Sequence, residues 1–488
     1  ALPRQAARPW ALRLATGLGV LLALGGALVG LAARWGGYRP AAAEALALAW
    51  LLGAGLGSVL LLWLDWAGVS PAGGRLTLAA TAGAGLIATL WLAWRGRKGP
   101  SEPGGGQFRP NAGPAPQAPA TWGRPATWLV RLALAGLLAW LLLYVLSLAL
   151  GHPLTGWDSW VNWAAKARTI FASGGITPAI YADPSRAVML LDYPLALPLL
   201  QAWLFGWLGA ADERLLGTLT AAAYLALPAL VYAAARRWGA SRTLALAAGV
   251  AAAAIGSVAD MAAFVLPEAM SAGLMAAAAI YLFDWVRGAP AFSLLVGAAA
   301  AGLLPWFKRE GLLLAAVLSV SLVAAAAWSP GRRPALKRCL LALLALALAG
   351  GLLAGPWWLF AGRQAIPNAA FEAPSLAGLA ANLERLPLVA WLMLRSLLSR
   401  SFNLIWPLAA ASLALVAAWR WRGRAASGFA AFQLVAMGFL GLMSLGYLFS
   451  AYVPLQQHVL ASAYRLAAQV APLVILGWAG QAARGRPT

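Results

Sequence analysis

Apolar runs of nearly constant length recur along the chain, near 10–33, 42–64, 76–94 and 126–150, then at 214–235, 243–259, 262–283, 290–307, 311–328, 338–360, 402–419, 428–451 and 466–482. Each is close to the roughly 20 helical residues that cross a bilayer's hydrocarbon layer. Polar residues gather between the runs, not on one face within them. The pattern predicts an all-α polytopic membrane protein with about 12–14 transmembrane helices. One long stretch, 151–213, shows no clear span and is dense in Trp, Asp and Pro. Inside it, 194–208 is apolar but short and carries two prolines, Pro194 and Pro198, which suits an interfacial or re-entrant element better than a crossing. The expected organisation is N-terminal helices over 1–94, a Gly/Pro-rich linker over 95–125, a core over 126–360 that includes the large outer loop 151–213, and an outer loop with the last helices over 361–488.

Composition sharpens this class. Hydrophobic residues make up 62% of the 488 and charged residues only 10%, against about 25% charge in a soluble domain. The net charge of +22 invites a nucleic-acid reading. Lys and Arg are instead dispersed through short inter-helix loops, as anchoring on the cytoplasmic side requires, so no nucleic-acid partner is expected. Cys339 is the only cysteine, and His152 and His458 are the only histidines. A disulfide framework and a thiolate or histidine metal centre are therefore not expected. The first residues lead into an apolar run too long for a signal-peptide core, which reads as a first helix and not a cleaved leader.

The basic loops set an orientation. RRWGASR (236–242), Arg287, GRRPALKR (331–338), RWRGR (420–424) and ARGR (483–486) fall on alternate connections, which should be cytoplasmic. Threading the helices between them puts Asp158, Asp183, Asp192, Asp260, Glu268, Glu310, Glu372 and Glu384 at the opposite face, and Asp284 and Glu102 inside. With 194–208 not crossing, the same parity places the N-terminus outside, against the pull of Arg4, Arg8 and Arg13.

Four clusters carry candidate chemistry. In GHPLTGWDSWVNWAAKARTIF, Asp158 lies just past an apolar helix between Trp157 and Trp160, with Lys166 and Arg168 following. The bland reading is an interfacial belt with a capping aspartate. The functional one is a carboxylate at the membrane rim, made a better base by desolvation. Asp192-Tyr193-Pro194 opens the short apolar element, where Asp192 also suits a turn, and Arg214 suits an anchor paired with Asp212 or Glu213. Lys308-Arg309-Glu310 interrupts two apolar runs before Gly311. Three charges make an ordinary hairpin, yet basic residues on the acidic face suit an anionic ligand such as phosphate. Glu268 stands near the outer end of a span, where an ionisable group is a functional candidate. Finally, His458 and Arg465 share a helical face; the histidine reads as a bystander and Arg465 as a second phosphate contact.

Taken together these segments resemble the polyprenyl-phosphate-dependent glycosyltransferases of the GT-C type, close to protein O-mannosyltransferases and aminoarabinose transferases, over about 126–360 and more loosely beyond. The shared order is an acid after a spanning helix (Asp158), an acid before a Pro-containing element (Asp192), an Arg opening a helix that ends in a basic pair (Arg214 to Arg236-Arg237), an acid at a later helix end (Glu268) and a helix ending in a basic residue (Lys308). WDSWVNWAAKARTIF and KREG look closer to uncharacterised bacterial members. The resemblance implies that Asp158 deprotonates the acceptor, that Lys308, Arg309 and Arg465 hold the donor phosphate, and that Asp192, Tyr193, Glu268 and Glu310 line the site. It implies a lipid-linked sugar donor, transfer with inversion to an acceptor of unknown class, no required cofactor with a divalent metal left open, and a site on the non-cytoplasmic face of the cell (inner or plasma) membrane. Two departures stand out. Ser159 follows Asp158 where many relatives have Glu, and the three helices before residue 95 have no matched counterpart. The competing readings are a transporter or flippase using the same cations for a head group, and a non-enzymatic scaffold.

Overall fold

The computed structural model describes residues 7–96, 124–329, 331–366, 368, 370–421 and 429–483. Arg4, Glu102, most of the 95–125 linker and the basic run RWRGR from 422 onward lie outside the described residues. Nineteen α-helices are present among those described, and each apolar run predicted from the pattern overlaps at least one of them. They run α1 (Ala7–Gly36), α2 (Ala42–Trp66), α3 (Pro71–Gly96), α4 (Arg124–Gly151), α5 (Ala165–Ser173), α6 (Ala196–Leu208) and α7 (Gly217–Arg237). Then come α8 (Arg242–Ala253), α9 (Gly256–Ala263), α10 (Glu268–Val286), α11 (Ala291–Phe307), α12 (Gly311–Ala327) and α13 (Arg332–Leu353). The last are α14 (Gly355–Arg363), α15 (Leu376–Ala381), α16 (Leu386–Leu397), α17 (Ile405–Trp421), α18 (Ala430–Gly446) and α19 (Leu455–Ala483).

Among the described residues, eight helices are long and apolar enough to cross a membrane, and α8 with α9, bent by 55° at their break, make a ninth span if counted together. The chain is an all-α, multi-pass membrane protein. Helices α11, α12 and α17, which the hydrophobic pattern counted as spans, are shorter apolar helices, as is α6. The run 243–259 is two helices, broken at Ala254 and Ile255, and α10 starts only at Glu268, after Pro267.

Which helix ends lie together follows from contacts. At one end, Gly36 abuts the Phe292 backbone, the Tyr38 and Phe292 rings are 4.8 Å apart, and Trp238 packs on Phe429 at 4.8 Å. Here Arg237 is buried between Glu44 and Asp284, with Trp238 Nε1 donating to Asp284 at 2.8 Å and the Tyr38 and Tyr281 rings beneath the guanidinium. Glu44 thus joins Asp284 on the side of the basic loops. Removing one partner of such a group strands a buried charge, which is costly.

At the other end, the Ile176 N–H donates to Asp65 at 3.1 Å, tying the loop 151–213 to α2. Helix α6 starts at this end, beside the α11–α12 turn, and also finishes there: the Leu208 carbonyl accepts from Arg13 near the start of α1, and Trp203 Nε1 donates to the Gly17 carbonyl at 3.0 Å. It lies along one rim and does not cross. Its residues are nonetheless almost all buried, since α1, α2 and α5 cover it.

Glycines allow the closest approaches. Helices α1 and α2 meet where a Cβ on Gly25 would strike the Ala49 carbonyl and one on Gly53 the Leu21 carbonyl, as expected where small residues bring membrane helices together. Gly311 is more demanding. A Cβ there would lie 2.2 Å from the Leu304 backbone, so the turn between α11 and α12 closes only over glycine. Gly311→Val is expected to cost about 1–3 kcal/mol as overpacking and to lower the thermal unfolding temperature of the purified protein; an unchanged melt would show that the turn yields freely.

Candidate functional site

The last turn of α11 ends at Phe307 and Lys308 turns into extended backbone, φ −147° and ψ 148°, which swings its side chain back under the bundle end. Its ammonium meets Glu268 Oε1 at 3.0 Å and Glu310 Oε1 at 3.6 Å. Glu268, the first residue of α10, is fully buried and accepts on the same oxygen from Arg465 of α19, through Nε at 2.7 Å and Nη2 at 2.6 Å. The remaining nitrogen, Nη1, pairs with Asp158 Oδ2. Arg309 pairs with Asp192, donates to Asn368 Oδ1 at 2.6 Å and stacks on Tyr193 and Phe371, 4.6 and 5.2 Å from the ring centres. Tyr193 closes the loop by donating its hydroxyl to Glu310 Oε1 at 3.1 Å.

The eight residues to which the resemblance gives a role thus meet in one network of ion pairs, hydrogen bonds and ring contacts. Asp158, Tyr193, Lys308, Glu310 and Arg465 line a small cleft that opens to solvent. Asp192, Glu268 and Arg309 stand behind that lining as ion partners. Arg309, grouped with the phosphate contacts from sequence, is held away from the cleft by Asp192 and Asn368. Arg214 is elsewhere, paired with Asp212 at the surface, and Glu213 pairs with Arg168.

Asp158 is placed by a π-helical turn, Asp158–Ala164, that follows the break after α4. Ser159 pins this turn by donating its hydroxyl to the Phe264 carbonyl. The turn splits its aromatic residues. Trp157 and Trp160 are exposed, as an interfacial belt requires, while Trp163 is buried edge-on against Tyr193 at 5.5 Å. A strap over 370–372 runs antiparallel to 449–451, with the Ala451 N–H donating to the Ala370 carbonyl at 3.1 Å and the Glu372 N–H to the Phe449 carbonyl at 2.8 Å, and this brings Phe371 over the cleft.

Burial sets the protonation landscape of the loop residues. It pushes the Asp192 carboxyl up, against the pull of Arg309 and Lys166. Glu310 is held below the usual carboxylate range although burial acts to raise it, because Lys308 and Arg309 outweigh that cost. Lys166, 3% exposed and donating to the Leu190 carbonyl at 2.7 Å, is brought down to about 7 by burial, with Asp192 and Asp158 opposing. From about pH 7 up to the ordinary lysine value, the unfolded chain therefore keeps a proton that the folded chain has released, and this contribution to stability rises with pH. Lys166→Met removes it. Melts across a pH series are expected to show the variant's stability relative to the parent falling by about 4 kcal/mol from roughly pH 7 to roughly pH 10; a flat difference would contradict the buried ammonium.

No family model matches the chain, and no curated protein matches it. Among solved structures it is similar to ArnT from Cupriavidus metallidurans, crystallised bound to undecaprenyl phosphate. The identity is 18% and the TM-score 0.43, over 72% of this chain and 60% of that one. The chain spans about 60% of the length of that protein.

Several cleft residues were missed from sequence. Asn162, Trp163, Phe371, Tyr447 and Ser462 line it, and so does His458, read as a bystander, whose Nδ1 is 2.7 Å from Ser450 Oγ. Asn162 had a signal: it follows Asp158 at a step of four residues. Asn368 and Phe371 had none, since nothing local marks which part of a long loop folds back. Five buried polar atoms around the network, Asn162 Oδ1, Asp192 Oδ1, Glu268 Oε2, Arg309 Nη2 and Glu310 Oε2, have no hydrogen-bond partner among the described residues. Among those residues no group of three His, Cys, Asp or Glu side chains could hold a metal ion.

Proposed function

We propose that this chain is a membrane glycosyltransferase that moves a sugar from a polyprenyl-phosphate donor to an acceptor hydroxyl at the non-cytoplasmic face, with inversion at the anomeric carbon. The observation that carries the reading is one cleft lined by a carboxylate, Asp158, and two cations, Lys308 and Arg465, drawn from three distant parts of the chain. That cleft opens at the bundle end opposite Arg237, Arg242 and Arg338, and cytoplasmic loops are the ones rich in Lys and Arg.

The chemistry needs few parts. Asp158 takes the acceptor O–H proton as the acceptor oxygen bonds to the anomeric carbon. The bond from that carbon to the phosphate oxygen breaks, and its electron pair leaves on the phosphate. Lys308 and Arg465 stabilise the charge that grows there, which counts for more in a partly desolvated cleft than in water. Attack and departure on opposite sides of one carbon give inversion. Tyr193, Asp192, Glu268, Arg309 and Glu310 hold the two cations and the loop in place.

The reading is tested by reconstituting the full chain in vesicles with radiolabelled sugar on a polyprenyl phosphate and an extract of envelope acceptors. Label passing from lipid to a polar product supports it. Labelled lipid that crosses the bilayer with no glycosylated product would replace it with a flippase.

A further inference from the structure

Arg465 holds its two carboxylates unequally. Glu268 is fully buried, receives two nitrogens of the guanidinium, Nε and Nη2, and is shared with Lys308. Asp158 receives only Nη1, its side chain is 29% exposed, and it sits at the start of a turn in the outer loop. The two attachments use different nitrogens. The contact with Asp158 can therefore be given up while the guanidinium stays fixed on Glu268. Glu268 cannot be released in the same way, since that would leave two buried cations facing each other.

We infer that Arg465 is an exchangeable clamp: a lipid phosphate arriving in the cleft takes the place of Asp158 on Nη1, so the donor itself frees the base. This rests on the glycosyltransferase reading above. While the pair is intact, Asp158 Oδ2 is engaged with the guanidinium, which leaves Oδ1 as the oxygen best placed to meet an acceptor hydroxyl. Once phosphate occupies Nη1, Oδ2 too is released toward the cleft that both residues line. The exchange trades a part-exposed carboxylate, which water can solvate, for a phosphate oxygen whose negative charge grows as the sugar departs. Arg465 then binds more strongly as the reaction proceeds, the condition for lowering a barrier and not merely filling a site. The consequence is an order of events, in which donor precedes deprotonation.

The test is equilibrium binding of a sugar-free polyprenyl phosphate to the full chain in lipid nanodiscs. If Asp158 competes with phosphate for Arg465, removing its charge removes the competitor. Asp158→Asn and Asp158→Ala are both expected to bind about two- to fivefold tighter than the parent, the range of a part-exposed ion pair, while Arg465→Lys binds more weakly. Unchanged or weaker binding by both Asp158 variants, with parent-like melts, would overturn the exchange and leave the transferase reading standing. A parent chain that binds no polyprenyl phosphate would instead remove the transferase reading itself.

Discussion

Asp158→Asn is expected to lower sugar transfer by about 10²–10⁴-fold, the contribution of a positioned general base, with little change in the thermal melt. Asparagine keeps the shape and one oxygen able to accept from Arg465 but cannot take up a proton at neutral pH. The effect belongs in turnover, since the residue acts on the acceptor proton and not on the lipid tail. The melt should hold because the side chain is part-exposed and Arg465 keeps Glu268. The measurement is initial-rate transfer by the reconstituted variant beside its parent. Transfer within a factor of three of the parent would remove Asp158 from the chemistry and turn attention to Glu310 and His458, which also line the cleft.

Glu268→Ala should lower the stability of the molecule strongly. Two cations, Arg465 and Lys308, converge on one fully buried carboxylate. Deleting it leaves both without their shared counterion in a region poor in water, and removing one side of a buried ion pair costs about 3–5 kcal/mol. Glu268→Gln should fall between parent and alanine, because the amide oxygen still accepts a hydrogen bond while the charge is lost. Restoring balance offers a sharper check: Lys308→Met in the Glu268→Ala background should recover part of the lost melting temperature. If the double variant melts lower than Glu268→Ala alone, the stranded-charge account fails.

Much of this arrangement was legible in the chain. Helix type and position followed from runs of apolar residues, because a bilayer demands both length and internal hydrogen bonding. Asp158, Glu268, Lys308 and Arg465 stood out because ionisable groups are rare among such runs. Which charge meets which did not follow. Arg465 and Asp158 are 307 residues apart, and no local rule links them. Arg309 shows the same limit in reverse: it is adjacent to Lys308 in sequence, yet the extended backbone at Lys308 sends the two side chains to different partners. The break between α8 and α9 was blurred by alanine, which fills both helices and offers no change in hydrophobicity where the axis bends. His458, read as a bystander, lies in the first turn of α19, a helix that begins eleven residues before the expected run.

The buried Arg237 and the loop-holding Asp65 bear on how this protein can be shortened. Severing the chain between α3 and α4 would carry off Glu44, leaving Arg237 with half its counter-charge, and at the far rim would free the backbone amide of Ile176 from its tether. The first three helices are thus integral masonry and not a porch. A trimmed fragment that starts at α4 should come out of the membrane misassembled even though every residue lining the cleft is still encoded in it.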